Sequence, residues 1–213
     1  MGTEKRNFDK EAAAWDENPT RVRLANDVAD AVSRHVALRA DMEVLDFGCG
    51  TGLLTLRLAP LVRSITGVDS SQGMLDVLAA KTAKQNLPNV RTLHLDLDRG
   101  DVLPGPCDLI VSCMTLHHIE RVDSLLGEFH NTLSPLGHLC IADLDSDDGQ
   151  FHSDNQGVFH SGFDRHELRR IFAAAGFEEI RDTTAAEVTK PARDGEPRRF
   201  TIFLMIGFKK GRG

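Results

Sequence analysis

Nowhere in the 213-residue chain do about 20 apolar residues follow one another, which argues against a transmembrane helix. The first 20 residues are largely polar and charged and do not read as a signal peptide, so a cytoplasmic protein is expected. Four cysteines, Cys49, Cys107, Cys113 and Cys140, show no C-x-x-C spacing and sit in or beside apolar runs. They read as reduced core residues, not as a disulfide or zinc set. Lys and Arg form no stripe, and the formal net charge is −7, which argues against nucleic acid as a partner. Internal repeats, low-complexity tracts and a second core are also missing. What is present, 41% hydrophobic and 27% charged residues, is ordinary for a globular domain and enough for one α/β domain spanning 1–213.

The most informative stretch is 44–59. Val44-Leu45 reads as the end of a buried strand, Gly48, Gly50 and Gly52 as a tight turn, and the Leu-rich run from Leu53 as a helix returning onto the sheet. Glycines there let the backbone approach a ligand, and the helix points its positive end at the turn. A dinucleotide fingerprint would need glycine at 53, where Leu53 stands. Asp46, beside the turn, would repel a pyrophosphate but suits a ligand carrying an ammonium and a sulfonium. The stretch, an acidic residue followed by G-x-G-x-G, resembles motif I of the class I S-adenosylmethionine-dependent methyltransferases, small-molecule type.

Later residues keep that reading. A second strand, Ser64 to Val68, ends in Asp69, 23 positions after Asp46, where a carboxylate can accept both ribose hydroxyls of a nucleotide. Ser70 or Ser71 then caps a helix with Met74, Leu75, Leu78 and Ala79 inward. A third strand from Val90 ends at Asp96, and a fourth, Cys107 to Cys113, is apolar enough to be buried on both faces. It exits into Leu116-His117-His118-Ile119. A fifth strand, about 137–143, ends at Asp143. Asn18-Pro19 starts a helix along Val22, Ala25, Val28, Ala29, Val32 and Val36, and Asp164 with Glu167 caps another that stops at Gly176. The sixth and seventh strands, about 178–188 and 199–208, have only a charged loop between them and must pair as an antiparallel hairpin. The expected fold is therefore α/β: a single Rossmann-like, doubly wound, seven-stranded sheet with an antiparallel strand seven, helices between the first six strands and on both faces.

The resemblance, which spans about residues 8–208, implies S-adenosyl-L-methionine as cofactor. It places Asp46, Gly48, Cys49, Gly50, Gly52, Asp69, Ser70, Met74, Asp96, Leu97 and Cys113 around it. Asp46 meets the ammonium, Gly48 and Gly50 hold the methionine portion, Asp69 the ribose, and Asp96 with Leu97 the adenine; Cys49 has no chemical role. His117 and His118 follow strand four, where the family's acceptor-facing residues lie, and a neutral imidazole suits proton removal from a hydroxyl, phenol or amine. His160, with Phe159 and Phe163, is a candidate for the far wall. The N-terminal segment 1–40 is expected over the cofactor mouth, its arm carrying Phe8 and Trp15. The polar segment 144–163 is expected as a substrate lid.

The expected partner is a small, partly apolar methyl acceptor; oligomeric state is left open. A metal-assisted, catechol-type enzyme using Asp143, Asp145, Asp147, His152 and His160 is weighed against a solvated acidic loop, which is preferred, so no metal is assigned. A non-catalytic cofactor-binding module and an NAD-linked oxidoreductase are the remaining alternatives.

Overall fold

Seven strands form one mixed sheet in the computed structural model, which describes residues 7–192 and 194–211. The first six residues of the expected N-terminal arm, and Arg193 in the hairpin loop, lie outside the described residues. The strands are β1 (Glu43–Phe47), β2 (Ser64–Asp69), β3 (Val90–His94), β4 (Cys107–Cys113), β5 (Leu133–Leu144), β6 (Glu178–Pro191) and β7 (Pro197–Phe208). Their order is β3-β2-β1-β4-β5-β7-β6, with β7 antiparallel between β5 and β6, as expected.

Among the described residues five α-helices flank the sheet: α1 (Pro19–His35), α2 (Leu53–Leu58), α3 (Gln72–Gln85), α4 (Val122–Thr132) and α5 (Arg165–Ala174). Alternation along the strands sends neighbouring side chains to opposite layers. Val44, Ile65 and Leu109 pack with Val28, Leu58 and Leu78 of α1–α3. Leu45, Ile110 and Ile141 pack with Phe129 of α4 and Phe172 of α5 on the other side. Caps fix where the helices begin. Asn18 accepts from the Thr20 amide at 2.9 Å with Pro19 at the first helical position, and Asp164 accepts from the Glu167 amide at 3.0 Å.

The structure departs from the sequence reading in places. The β3–β4 connection carries no α-helix but one 3-10 turn, Leu97–Arg99, because Gly100, Pro104, Gly105 and Pro106 crowd the next seven residues and break helical hydrogen bonding. Strand β5 begins four residues earlier than expected, passing through Leu136 at φ 66, whose amide donates to the Lys209 carbonyl at 2.9 Å. The β6–β7 hairpin is longer, with Pro191 opposite Pro197, and Ala79 of α3 is exposed.

Parallel pairing aligns the carboxyl ends of β1, β2, β4 and β5 along one edge, with Asp46 beside Val111 and Cys113 beside Ala142. Strand order reverses between β1 and β4, the place where open α/β sheets leave a crevice for ligands.

Candidate active site

The glycine turn after β1 hangs on β2 through two hydrogen bonds, from the Gly48 and Cys49 amides to the Val68 carbonyl at 2.9 and 3.1 Å. Gly48 has φ +69, and a Cβ there would fall 2.3 Å from the Thr115 side chain, so only glycine fits. Asp69, at the tip of β2, accepts from the Gly50 amide through Oδ2 at 2.8 Å and from the Ser71 amide through Oδ1 at 2.9 Å. Each carboxylate oxygen keeps capacity for a further donor. Burial raises the Asp69 carboxyl from its usual range, opposed by those amides.

Asp46 is 1% exposed, and its Oδ2 accepts from the Thr55 hydroxyl at 2.5 Å. Burial, with a smaller push from Asp69, carries its pKa up to about 7 against the Thr55 hydrogen bond. Among the described residues this buried carboxylate has hydrogen bonds from Thr55 and a second carboxylate nearby but no cation. Burial and these two acids also push the Cys49 thiol up, so it is protonated and unreactive at neutral pH.

Beyond β4, Met114 takes φ 57, and Leu116–His118 form a 3-10 turn anchored by buried Leu116. His117 is 1% exposed and its Nδ1 lies 2.7 Å from Asp143 Oδ1 at the end of β5. Asp143 also accepts from the His117 amide at 3.3 Å and the Leu144 amide at 2.7 Å. Burial would raise Asp143, yet the His117 ring and these donors more than offset it and hold the carboxyl below the usual range. His118 donates from Nδ1 to the Gly157 carbonyl at 2.6 Å. The His118 and His152 rings lie 4.2 and 5.0 Å, centre to centre, from that of His117.

These groups share one cavity of about 480 Å³, within the usual range of small-molecule sites. Phe8 and Trp15 of the N-terminal arm border it. Asp9 accepts from the Ser71 hydroxyl at 2.5 Å and the Gly73 amide at 2.9 Å, Asp16 accepts from the Thr51 hydroxyl at 2.6 Å and pairs with Lys81, and the Arg21 guanidinium lies 3.6 Å over Trp15. Phe8 meets both Trp15 and His118 edge-on. The loop from 145 is bound to the histidine turn: the Phe159 and His160 amides donate to the His117 carbonyl at 2.9 and 3.2 Å.

Of the expected cofactor residues, Asp46, Gly48, Cys49, Gly50, Asp69, Ser70, Met74, Asp96, Leu97 and Cys113 border the cavity, as do His117 and His118. Gly52 does not border it; at φ +81 it lets Leu78 of α3 approach, a Cβ there falling 2.2 Å from Leu78 Cδ1. Ser71, not Ser70, caps α3, accepting from the Met74 amide at 3.2 Å. His160 lies outside the cavity, its Nε2 donating to the Ile119 carbonyl at 2.9 Å, so it props the turn instead of forming a far wall. The weighed metal donors are engaged separately. Asp145 takes two 2.6 Å hydrogen bonds from Arg165 and one from Thr201, and Asp147 accepts from the Gly149 and Phe151 amides. Among the described residues no group of three or more such donors converges.

Sequence reasoning missed Thr55 under Asp46, Leu24 and Arg21 of α1, Phe151, and Val188 and Lys190 of β6. The β6 pair had a signal: two positions apart on a strand, they share one face. The Asp143–His117 contact was also implied by adjacent strand ends.

No helix among the described residues is long and apolar enough to cross a membrane. An uncharacterized methyltransferase of Schizosaccharomyces pombe is 33% identical over 152 residues, covering 64% of this chain and 54% of its own length. The chain spans about half the length of the first curated relatives it matches. The methyltransferase of the complex with the Haloferax volcanii Trm112 methyltransferase activator shares the fold at TM-score 0.77 and 20% identity, with 97% of each chain covered. Phosphoethanolamine N-methyltransferase 2 of Haemonchus contortus, solved with S-adenosyl-L-methionine, superposes at TM-score 0.70 and 17% identity over 87% of this chain and 52% of its own. Residues 21–181, which contain the glycine turn, both strand-tip aspartates and the histidine turn, match the family described as a methyltransferase domain, and it is to this family that the chain belongs.

Proposed function

We propose that the chain is an S-adenosyl-L-methionine-dependent methyltransferase acting on a small, partly apolar molecule. The observation that carries this reading is Asp46: a 1% exposed carboxylate bordering the cavity, with a pKa near 7 and no cationic partner beside it among the described residues, on the strand next to that of Asp69, which takes the ribose in this reading. A ligand with an ammonium next to a nucleoside satisfies both acids at once. The bound cofactor supplies a methyl carbon activated by a positive sulfur. The protein's own residues then align, enclose and deprotonate. Gly48 and Gly50 allow close backbone approach, Asp69 and the Asp96–Leu97 corner hold the nucleoside, and the arm through Phe8 and Trp15 shuts out water. Residues 144–163 act as the lid on the acceptor. The acceptor side presents Ile119, Phe151, Phe159 and Val188 beside His117 and His118, a mixture suited to a partly apolar molecule with one polar reacting group.

Titration calorimetry with S-adenosylhomocysteine tests the reading. Saturable binding is expected, with Asp69→Ala weakening it about 100-fold through the loss of two charge-assisted hydrogen bonds. Absence of binding, or an affinity unchanged by Asp69→Ala, removes the proposal. Heat with NADH in its place favours an oxidoreductase.

A further inference from the structure

We propose that Asp143 is the positioning residue of a His117–Asp143 pair that takes the proton from a hydroxyl-bearing methyl acceptor; the inference rests on the function proposed above and names its substrate class. Asp143 is 0% exposed and His117 1%, and 2.7 Å separates Oδ1 from Nδ1. The carboxyl is held below its usual range, so it is ionised and can only accept. Nδ1 therefore carries a hydrogen, and in its neutral form the ring presents a bare lone pair at Nε2. That atom is buried and has no hydrogen-bond partner among the described residues, although His117 borders the cavity. A buried acceptor without a partner calls for one, and a group brought by a ligand in the cavity is such a partner.

Other titratable groups around the ring are His118 in the same turn, His152 from the loop and the Cys113 thiol at the end of β4, which burial keeps protonated. None is an anion that could take over the role of Asp143. The two imidazoles stand beside the His117 ring, and an acceptor oxygen entering beside His152 supplies the missing partner. In the step, the acceptor oxygen forms a bond to the methyl carbon while the carbon–sulfur bond breaks, its electron pair staying on sulfur. The hydroxyl proton passes to Nε2, and the imidazolium is stabilised by the Asp143 carboxylate. An acid acceptor is disfavoured, because a carboxylate needs no base and would face the Nε2 lone pair.

The test uses the full chain with ¹⁵N-labelled histidine. NMR is expected to report His117 protonated at Nδ1 and bare at Nε2, with that preference lost in Asp143→Ala. A wild-type His117 protonated at Nε2 overturns the proposal whether or not any acceptor is turned over. Asp143→Asn keeps the shape, so it serves where alanine prevents folding. With S-adenosylmethionine and catechol or 4-nitrophenol, Asp143→Asn is expected to lower kcat about 100-fold, with KM and S-adenosylhomocysteine affinity within about twofold of wild type. An unchanged kcat, or turnover confined to adipate as a carboxylate probe, overturns it. Failure of S-adenosylhomocysteine to bind wild type sinks the cofactor reading instead and leaves the tautomer result standing.

Discussion

Asp46 and Asp143 occupy matching places on either side of β4, each within 1% of full burial at the end of a strand, and their environments drive them in opposite directions. Asp46 has the Thr55 hydroxyl and the Asp69 carboxylate for company, and burial lifts it to about 7. Around Asp143 stand an imidazole and two backbone amides, which outweigh the same burial and lower it. The glycine-turn end of the cavity thus holds an unmet demand for positive charge. At the histidine end the carboxylate is satisfied within the protein and fixes the orientation of the His117 ring.

Consequences for stability differ in sign. Asp46, raised from 3.8, favours the folded state most in acid, and its contribution disappears as pH climbs through about 7. Asp143, lowered, contributes fully above its unfolded value of 3.8 and loses that contribution as pH falls through the folded one.

Gly48→Ala should have the largest effect, because it strikes both ends at once: the left-handed backbone is strained and the new Cβ meets Thr115 of the histidine turn. About 3 kcal/mol of stability should be lost in urea titration; a change below about 0.5 kcal/mol would mean that the two ends are not wedged together. Next is the pH dependence of S-adenosylhomocysteine affinity. Binding an ammonium requires Asp46 ionised, so calorimetry should show affinity falling by up to about tenfold per unit below pH 7 and levelling above it, with the dependence gone in Asp46→Asn. A flat profile in wild type would erase the contrast with Asp143. Asp9→Ala, which removes the arm's hold on Ser71 and Gly73, should cost about 1 kcal/mol and quicken cofactor release in stopped-flow measurements. His160→Ala should do least. Losing one hydrogen bond to the Ile119 carbonyl costs about 0.5 kcal/mol in thermal melts and should leave turnover intact, whereas a 100-fold drop in turnover would return His160 to the acceptor site.

The glycine-turn end of the cavity was legible in the sequence because its parts are local and geometric. A strand tip, three glycines and a carboxylate 23 residues later need only the period of a parallel sheet to meet, and β1 and β2 pair in register through Asp46 and Gly67. The terminal hairpin followed from the missing helix between the last two strands, and the place of strand seven in the sheet from the resemblance to class I methyltransferases. The failure at 96–106 was local too, since the glycines and prolines that forbid a helix there are visible in the chain.

The histidine end was not legible in the same way. Which of His117, His118 and His160 faces the cavity depends on how a 3-10 turn, a 20-residue irregular loop and a strand tip from β5 close on one another. No periodicity encodes those angles. Burial is the same for Asp46 and Asp143, and the donors made the final distinction. Identical aspartates at equivalent strand ends acquire different chemistry from the donors that packing places within 3.3 Å of them, and side-chain neighbours far apart in the chain are chosen by the tertiary structure alone.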